Sequence, residues 1–424
     1  MMNDAQNNSS HAGLNVAVLG AGVVGLSSAI SLQQAGFKVT LIDTQQPGLG
    51  TSFGNAGLFA DYARLPFANF ATLKKIPKML LDKNSPLAIS PSYTPNLLTY
   101  AKAYIKSCKA SHYNAAKQGL YHLHSIAKEA DKALISASKS EHLISQQGFL
   151  GLFSTSASFE LAKPSFIERE QQGAKLELLS SEQIRTLEPQ LKMPFHGAVY
   201  YPNTYHSLDP QLYSESLFIY FKKHGGVFRQ EKITQINPID HNNVIELRSV
   251  LHSTQYDQLV IATGAATKAL VEQLHLSIPQ VCERGYHLML KDSALTLNRP
   301  IAWMNQGVHM TPMNKAIRVA GTAEYAEDSA PPSERRKAVM LNHAKQMLGL
   351  DIAVDSSWVG SRATTPDSLP IIAKMQKQPN VTLAFGHGHL GLTFAATTGR
   401  IVAQLVANKT PEIDISAFSA ERFS

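Results

Sequence analysis

Residues 15–43 read NVAVLGAGVVGLSSAISLQQAGFKVTLID, and this stretch decides the fold. It opens with a short aliphatic run, 16–19, and breaks at Gly20, Gly22 and Gly25. Small and apolar residues then recur at helical spacing through Leu26, Ala29, Ile30 and Leu32 to Gly36, and a second apolar run, 38–42, closes on Asp43. Strand, glycine turn, helix, strand and acid in that order make the pattern of a βαβ dinucleotide site. Gly20 allows the sharp turn out of the strand, Gly22 the close approach of backbone to a pyrophosphate, and Gly25 the tight packing of helix on sheet. The diphosphate is expected on the free amides at the start of the helix, around Val23 and Val24. Asp43 stands where a carboxylate accepts a ribose 2′-hydroxyl and repels a 2′-phosphate.

Working outward, 424 residues are too many for one ordinary core and suit two domains, with interleaving open. A hydrophobic content of 44% against 17% charged describes a globular chain. Cys108 and Cys282 match no metal or redox spacing, which points to a reducing compartment. Residues 14–36 carry no charge, yet no Lys or Arg precedes Lys38 to make a signal peptide, and the glycine spacing explains the small residues better than a membrane span. No transmembrane helix is expected. Residues 61–140 hold eleven Lys and one Arg against four acids, a net +8 in a chain whose total is +7. Such a block faces solvent, an anionic membrane surface or nucleic acid, the last being the least expected here.

Residues 1–13 read as a disordered tail. After Asp43, the stretch GTSFGNAGLFA at 50–60 packs glycines, Thr51, Ser52 and Asn55 into a loop whose amides either face a ligand or make an ordinary surface turn. Five prolines in 65–111 predict short helices and turns rather than sheet. A helix follows over 114–137, with Leu120, Leu123, Ile126, Ala127 and Ala130 on one face, and His112, His122 and His124 read as surface or packing residues. Short strands are predicted at 148–153 and 197–201, a capped helix from Ser180, a helix over 210–224, and alternating strands after it. YDQLVIATGAATKAL at 256–270 is a buried strand running into Gly264 and a helix start. In a shared parallel sheet it lies beside the first nucleotide site, because ligands gather at the strands' carboxyl ends. Strands near 285–290 and 317–321 and a helix over 333–348 precede the last segment, a strand, the loop GHGHLG and a helix from about Leu392.

With these residues in hand, the chain resembles the FAD-dependent amino-acid oxidase superfamily, most closely its bacterial D-amino-acid dehydrogenase branch. The likeness rests on VAVLGAGVVGLSSAISL, the TSFGNAG loop, PLAI at Pro86, LVIATG, RGY at Arg284, GSRATTPDSLPII and GHGHLGLT, seven weak motifs in the right order. It implies an α/β chain with a Rossmann-like FAD-binding domain (14–62, 177–190, 206–274 and 356–424). Interleaved with this is an α+β substrate domain containing an antiparallel sheet (63–176, 191–205 and 275–355). FAD is expected to lie with its adenosine diphosphate half on the Gly20–Gly25 turn and Asp43. Its ring is expected near Thr51 to Gly57 and the GHGHLG loop, and the expected cofactor-binding residues of these later segments are Thr51, Ser52, Asn55, Ala56, Gly57, Leu58, Gly264, Arg362, Gly386, Gly388, His389, Leu390, Gly391, Leu392 and Thr393. A helix N-terminus after Gly391 suits the negative charge of a reduced flavin. His387 and His389 have no third ligand, so no metal is expected.

The resemblance also assigns a catalytic set. Arg362 matches the arginine that grips the substrate carboxylate, for which a guanidinium fork is suited; the alternative is an ion pair with Asp367. Tyr286 takes the family's position on a strand facing the pocket. His206 stands where hydroxyproline-acting relatives carry a histidine. The implied reaction transfers hydride from Cα of a D-amino or D-imino acid to flavin N5, giving an imino acid, then a 2-oxo acid and ammonia, with electrons passed to a quinone. Hydroxy-D-proline or D-proline dehydrogenase and a glycine or sarcosine-type oxidase are the alternatives, with a noncatalytic flavin-binding subunit as the reading from another class. A nicotinamide-dependent dehydrogenase leaves LVIATG and GHGHLG unexplained. The expected location is cytoplasmic, with peripheral contact at the inner face of the plasma membrane through residues 61–140.

Overall fold

The structure, a computed structural model, describes residues 13–239, 244–291 and 295–423. The tail expected at 1–13 lies outside them except for Gly13. Strand β1 (Asn15–Leu19), helix α1 (Val23–Gln34) and strand β2 (Lys38–Asp43) form where the glycine pattern predicts them. In the six-stranded sheet around β1 the order is Val227–Gln230, β2, β1, Gln258–Ile261, Val381–Phe385, Ile371–Lys374. All neighbours pair parallel except the last, an antiparallel edge. Parallel sheets are covered on both faces, and β1 obeys this residue by residue. Val16 and Val18 enter the cluster with Leu26 and Ile30 of α1, while Ala17 and Leu19 enter the opposite cluster with Leu259 and Ile261.

The second layer is a nine-stranded mixed sheet, which gives the expected antiparallel substrate sheet its form. Its neighbouring strands Val281–Leu290 and Ala316–Tyr325 pair antiparallel, and Ser356–Thr364 forms one edge. Alternation sorts its two faces. Tyr286, Leu288 and Leu290 pack with Val319 and Met310 against Met340, Ala344 and Met347 of helix Glu334–Leu348. Glu283, Gly285, Thr322, Ala320 and His309 point the other way and border a cavity that the first sheet also borders.

The division between layers is finer than the motifs implied. Glu177–Ser180, expected with the FAD-binding part, pairs with Gly197–Tyr201 in the nine-stranded sheet, and Ser356–Thr364, expected there too, joins the same sheet by pairing with Val281–Leu290. Helix Ala110–Ala137, expected in the substrate part, buries Leu120, Leu123 and Ala127 in the core that holds α1. Its apolar stripe matches that core, which is why it docks there. Leu87–Ile89 is a strand in a stretch expected to avoid sheet, paired with Ala316–Tyr325. Helix Ser156–Gln171 carries no clear apolar stripe in its sequence and was not predicted; Phe159 and Phe166 anchor it.

Candidate active site

At the end of β1 the chain turns at Gly20, whose φ is +100° and whose Cβ, if present, would lie 2.4 Å from the Ala262 carbonyl oxygen. Only glycine takes this turn without strain. The turn is held by a carboxylate, since the Ala21 amide donates to Asp43 Oδ2 at 2.6 Å. Ser52 Oγ accepts the Val23 amide at 3.0 Å, so a side chain from the 50–60 loop caps the first turn of α1. These groups border a cavity of about 2650 Å³ that runs from Asp43 past the N-terminus of α1 to Arg362 and the Gly386–Leu392 loop. They fit an extended dinucleotide. The positive end of α1 opens on the cavity, and a Cβ on Gly22 would come within 3.0 Å of Ser52 Oγ and fill the turn.

The 50–60 loop is tied to the second sheet and is no free surface turn. Arg318 Nη1 donates to the Phe53 and Asn55 carbonyls at 3.0 and 2.7 Å, Thr311 Oγ1 to the Ala56 carbonyl at 2.9 Å, and Thr51 Oγ1 to the Ser361 carbonyl at 2.6 Å. A buried guanidinium spends its donors on these carbonyls, which sets the loop's shape.

On the cavity face of the nine-stranded sheet, one carboxylate gathers the polar groups. Glu283 Oε1 accepts from Arg362 Nη1 at 3.0 Å and from His389 Nε2 at 2.8 Å; Oε2 accepts from Thr364 Oγ1 at 3.2 Å and Tyr325 Oη at 3.5 Å. Burial alone would push this carboxyl up, but its neighbours His389 and Arg362 and the hydrogen bonds hold it down to about 2. Arg362 Nη1 also reaches the Thr322 carbonyl at 3.3 Å. Nearby, His309 stacks on Phe149 with ring centroids 6.0 Å apart, and burial, aided by its neighbours His389 and Arg362, lowers it to about 4.

Of the residues expected to hold the cofactor, Gly20, Gly22, Val23, Val24, Asp43, Thr51, Ser52, Asn55, Ala56, Leu58, Gly264, Arg362, Gly386, Gly388, His389, Leu390, Gly391 and Leu392 border the cavity. Gly25, Gly57 and Thr393 stand behind it. A Cβ on Gly25 would lie 1.8 Å from the Gly20 carbonyl oxygen, Gly57 pairs with the Ser207 amide, and Thr393 Oγ1 accepts the Ala60 amide. The final helix begins at Ala395, three residues beyond the expected start, after a 3-10 turn over Gly388–Leu390. His387 turns inward, its Nε2 2.8 Å from Thr398 Oγ1, and does not pair with His389. The described residues hold no metal-binding cluster.

Two of the residues expected to be catalytic do not border the cavity. Tyr286 lies on the far face of its strand, buried with Leu288 and Leu290, and donates to Glu324 at 2.6 Å. The cavity-facing positions are its neighbours Gly285 and Glu283, one and three residues earlier. His206 sits on the central strand of a small sheet, opposite Leu58 and Ser145, fully buried and lowered to about 4 by burial, which the Pro312 backbone only partly opposes. It borders no part of the cavity. Arg362 does, and the alternative partner Asp367 is engaged by Arg422 at 2.6 Å. Sequence reasoning missed Glu283, His309 and Arg318. The available signal was a lone acid in the strand VCERGYHLML, whose other residues are mostly apolar.

A parallel sheet with a nucleotide turn, joined through one cavity to a second sheet carrying a guanidinium, defines a dinucleotide-dependent oxidoreductase. Residues 15–405 match the FAD dependent oxidoreductase (DAO) family, and the chain belongs to it. FAD is its cofactor. A D-amino-acid oxidase of Bradyrhizobium diazoefficiens is 31% identical over 421 residues, covering 97% of this chain and 99% of its own. A D-amino acid dehydrogenase of Vibrio vulnificus is 30% identical, covering 94% and 97%. Glycine oxidase from Geobacillus kaustophilus shares the fold at a TM-score of 0.76 and 18% identity, over 96% of this chain and 98% of its own.

Proposed function

We propose that the protein oxidises D-amino acids at Cα to imino acids, which water converts to 2-oxo acids and ammonia, and that its electrons leave to a quinone. Arg362 carries the reading. Its side chain is 19% exposed and borders the cavity, and among the described residues Nη1 is held by Glu283 while Nη2 and Nε have no partner and are left for a substrate carboxylate. FAD, when bound, supplies the hydride acceptor for Cα–H. The residues inferred to hold it are the turn at Gly20–Val24, Asp43, the Thr51–Leu58 loop and the Gly386–Leu392 loop. The chain's own part is to orient the carboxylate, to keep His309 as a neutral wall, and to exclude water from the buried side of the pocket. The relatives' names support the D configuration. His206, which set the hydroxyproline alternative apart, does not border the cavity.

Anaerobic loss of the visible flavin absorbance on mixing with D- but not L-amino acids tests the reading. In Arg362→Ala, bound FAD should persist while kcat/KM falls by on the order of 100-fold, as expected for losing a charge-assisted fork. Unchanged kcat/KM would remove Arg362 from the site.

The acceptor and the membrane belong to the same proposal. Helix Phe70–Leu81 buries no residue, and Phe70 and Leu81 are 49% and 85% exposed beside Lys74, Lys75 and Lys78. Helix Thr94–Ser107 adds exposed Leu98 and Ile105 beside Lys102 and Lys106. Apolar side chains among lysines suit an anionic lipid surface, and both helices border the cavity. No helix of the described residues is long and apolar enough to cross a membrane. Fast turnover with O₂ as sole acceptor, with H₂O₂ formed, would overturn the quinone assignment.

A further inference from the structure

An amino acid reaches a neutral solution with its nitrogen as an ammonium. That nitrogen drives hydride from Cα only when it holds a lone pair, so a proton must first leave it. The group that takes this proton has to border the cavity close to Arg362 with an acceptor atom still free. Glu283 is excluded, because its oxygens already face Arg362, His389, Thr364 and Tyr325. Tyr325 is committed to Glu283, and burial raises it well above its usual range. His387 is turned into the core onto Thr398.

His389 meets the requirement. Its Nε2 lies 2.8 Å from Glu283 Oε1. An ionised carboxylate has no proton to give, so Nε2 carries the hydrogen and the lone pair of the neutral ring sits on Nδ1. Among the described residues Nδ1 has no hydrogen-bond partner, and the side chain is 40% exposed where it meets the cavity beside Phe67. Since His389 and Arg362 share one oxygen of Glu283, a carboxylate on Arg362 brings its own amine to the same neighbourhood.

We propose that His389 accepts the proton of the substrate ammonium, with Glu283 as the positioning residue behind it. The inference rests on the amino-acid reading above. One N–H bond of the ammonium breaks and an Nδ1–H bond forms; the amine keeps the electron pair, the ring becomes imidazolium, and no electrons change hands. Glu283, on strand Val281–Leu290, favours the imidazolium, and Arg362, on Ser356–Thr364, opposes it. His309 on Val308–Met313 is neutral, and the phenols Tyr325 and Tyr100 stand behind Glu283 as uncharged groups. The same carboxylate that fixes the tautomer therefore also compensates the charge the ring acquires.

The test is the pH dependence of kcat/KM for a D-amino acid with the FAD-loaded enzyme. The unaltered enzyme should climb through an imidazole ionisation to a plateau. His389→Gln should lose about 100-fold at neutral pH and keep climbing to the pKa of the free substrate ammonium, so that the gap closes at high pH. Glu283→Gln should move the rising limb to lower pH, because the imidazolium loses its counter-charge, whatever it does to KM. The dissociation constant of an α,α-dialkyl amino acid, which has no Cα–H and is followed by flavin absorbance, should show the same limb without turnover. A uniform offset in His389→Gln with the limb unmoved would overturn the proposal, as would a falling limb that disappears with His389. If no amino acid bleaches the flavin at any pH in either enzyme, the underlying reading has failed instead.

Discussion

A Cβ built on Gly285 would lie 2.0 Å from Arg362 Nη2 and 2.3 Å from Cζ, so the guanidinium occupies the space that any side chain at 285 would need. This is the physical content of the RGY motif in this chain, and its glycine serves the site while its tyrosine serves the core. Gly285→Ala leaves the strand pairing with Gly360 possible but drives the fork off its position. Misplacing an orienting group by about 1 Å costs on the order of 100-fold in rate. We expect Gly285→Ala to lose about that factor in kcat/KM, mostly through KM, with FAD still bound by its visible absorbance. A variant with unaltered KM would show that Arg362 does not grip the substrate from this position.

Helix Phe70–Leu81 is held at its start by Asn69, whose side chain accepts the Thr72 amide at 2.8 Å, and none of its residues is fully buried. An exposed helix with Phe70, Leu80 and Leu81 beside three lysines pays for its apolar surface only if something covers it. Replacing Lys74, Lys75 and Lys78 with Glu should abolish co-sedimentation with vesicles rich in anionic lipid, each lysine contributing on the order of 1 kcal/mol. Turnover with a soluble dye as acceptor should persist. Equal binding to neutral vesicles, insensitive to salt, would sink the electrostatic part. The elements of the first sheet were legible because their signals are local: a glycine spacing at 20–25, an aliphatic run, an acid at its strand tip. Position on the second sheet was not. Tyr286 and Glu283 lie on one strand and differ in face by alternation, and a bulge between Arg284 and Tyr286 leaves no periodic mark that fixes which face meets the cavity. Glu283 became a site residue only when Ser356–Thr364 and Val281–Leu290 paired Arg362 opposite it, a contact 79 residues apart in sequence.

Across the whole molecule, the two sheets and the helices on them enclose histidines that the fold keeps neutral. Burial, the leading cause in each, lowers His124 and His387 to about 3 and His206, His287 and His309 to about 4. In the unfolded chain they titrate near their ordinary value of about 6.5. Each therefore supports folding fully above that pH, and the support is lost as pH falls towards the folded value, because the unfolded state then binds the proton that the native state refuses. Glu283 adds nothing in this window, since its depressed carboxyl matters only below about 4.3, the ordinary glutamate value. Between pH 7 and 5.5 each histidine costs on the order of 1 kcal/mol, and together they take a large share of the 5–15 kcal/mol that ordinarily separates folded from unfolded chains. The Tm of the FAD-loaded protein should fall steeply from pH 7 to 5.5. His124 is the place to check the origin, because its Nε2 meets the Ala63 carbonyl at 3.1 Å and a glutamine amide can replace that bond. In His124→Gln the pH slope of stability should drop by about one proton's worth. A Tm that is level across this range would mean that these rings take up protons without leaving the fold.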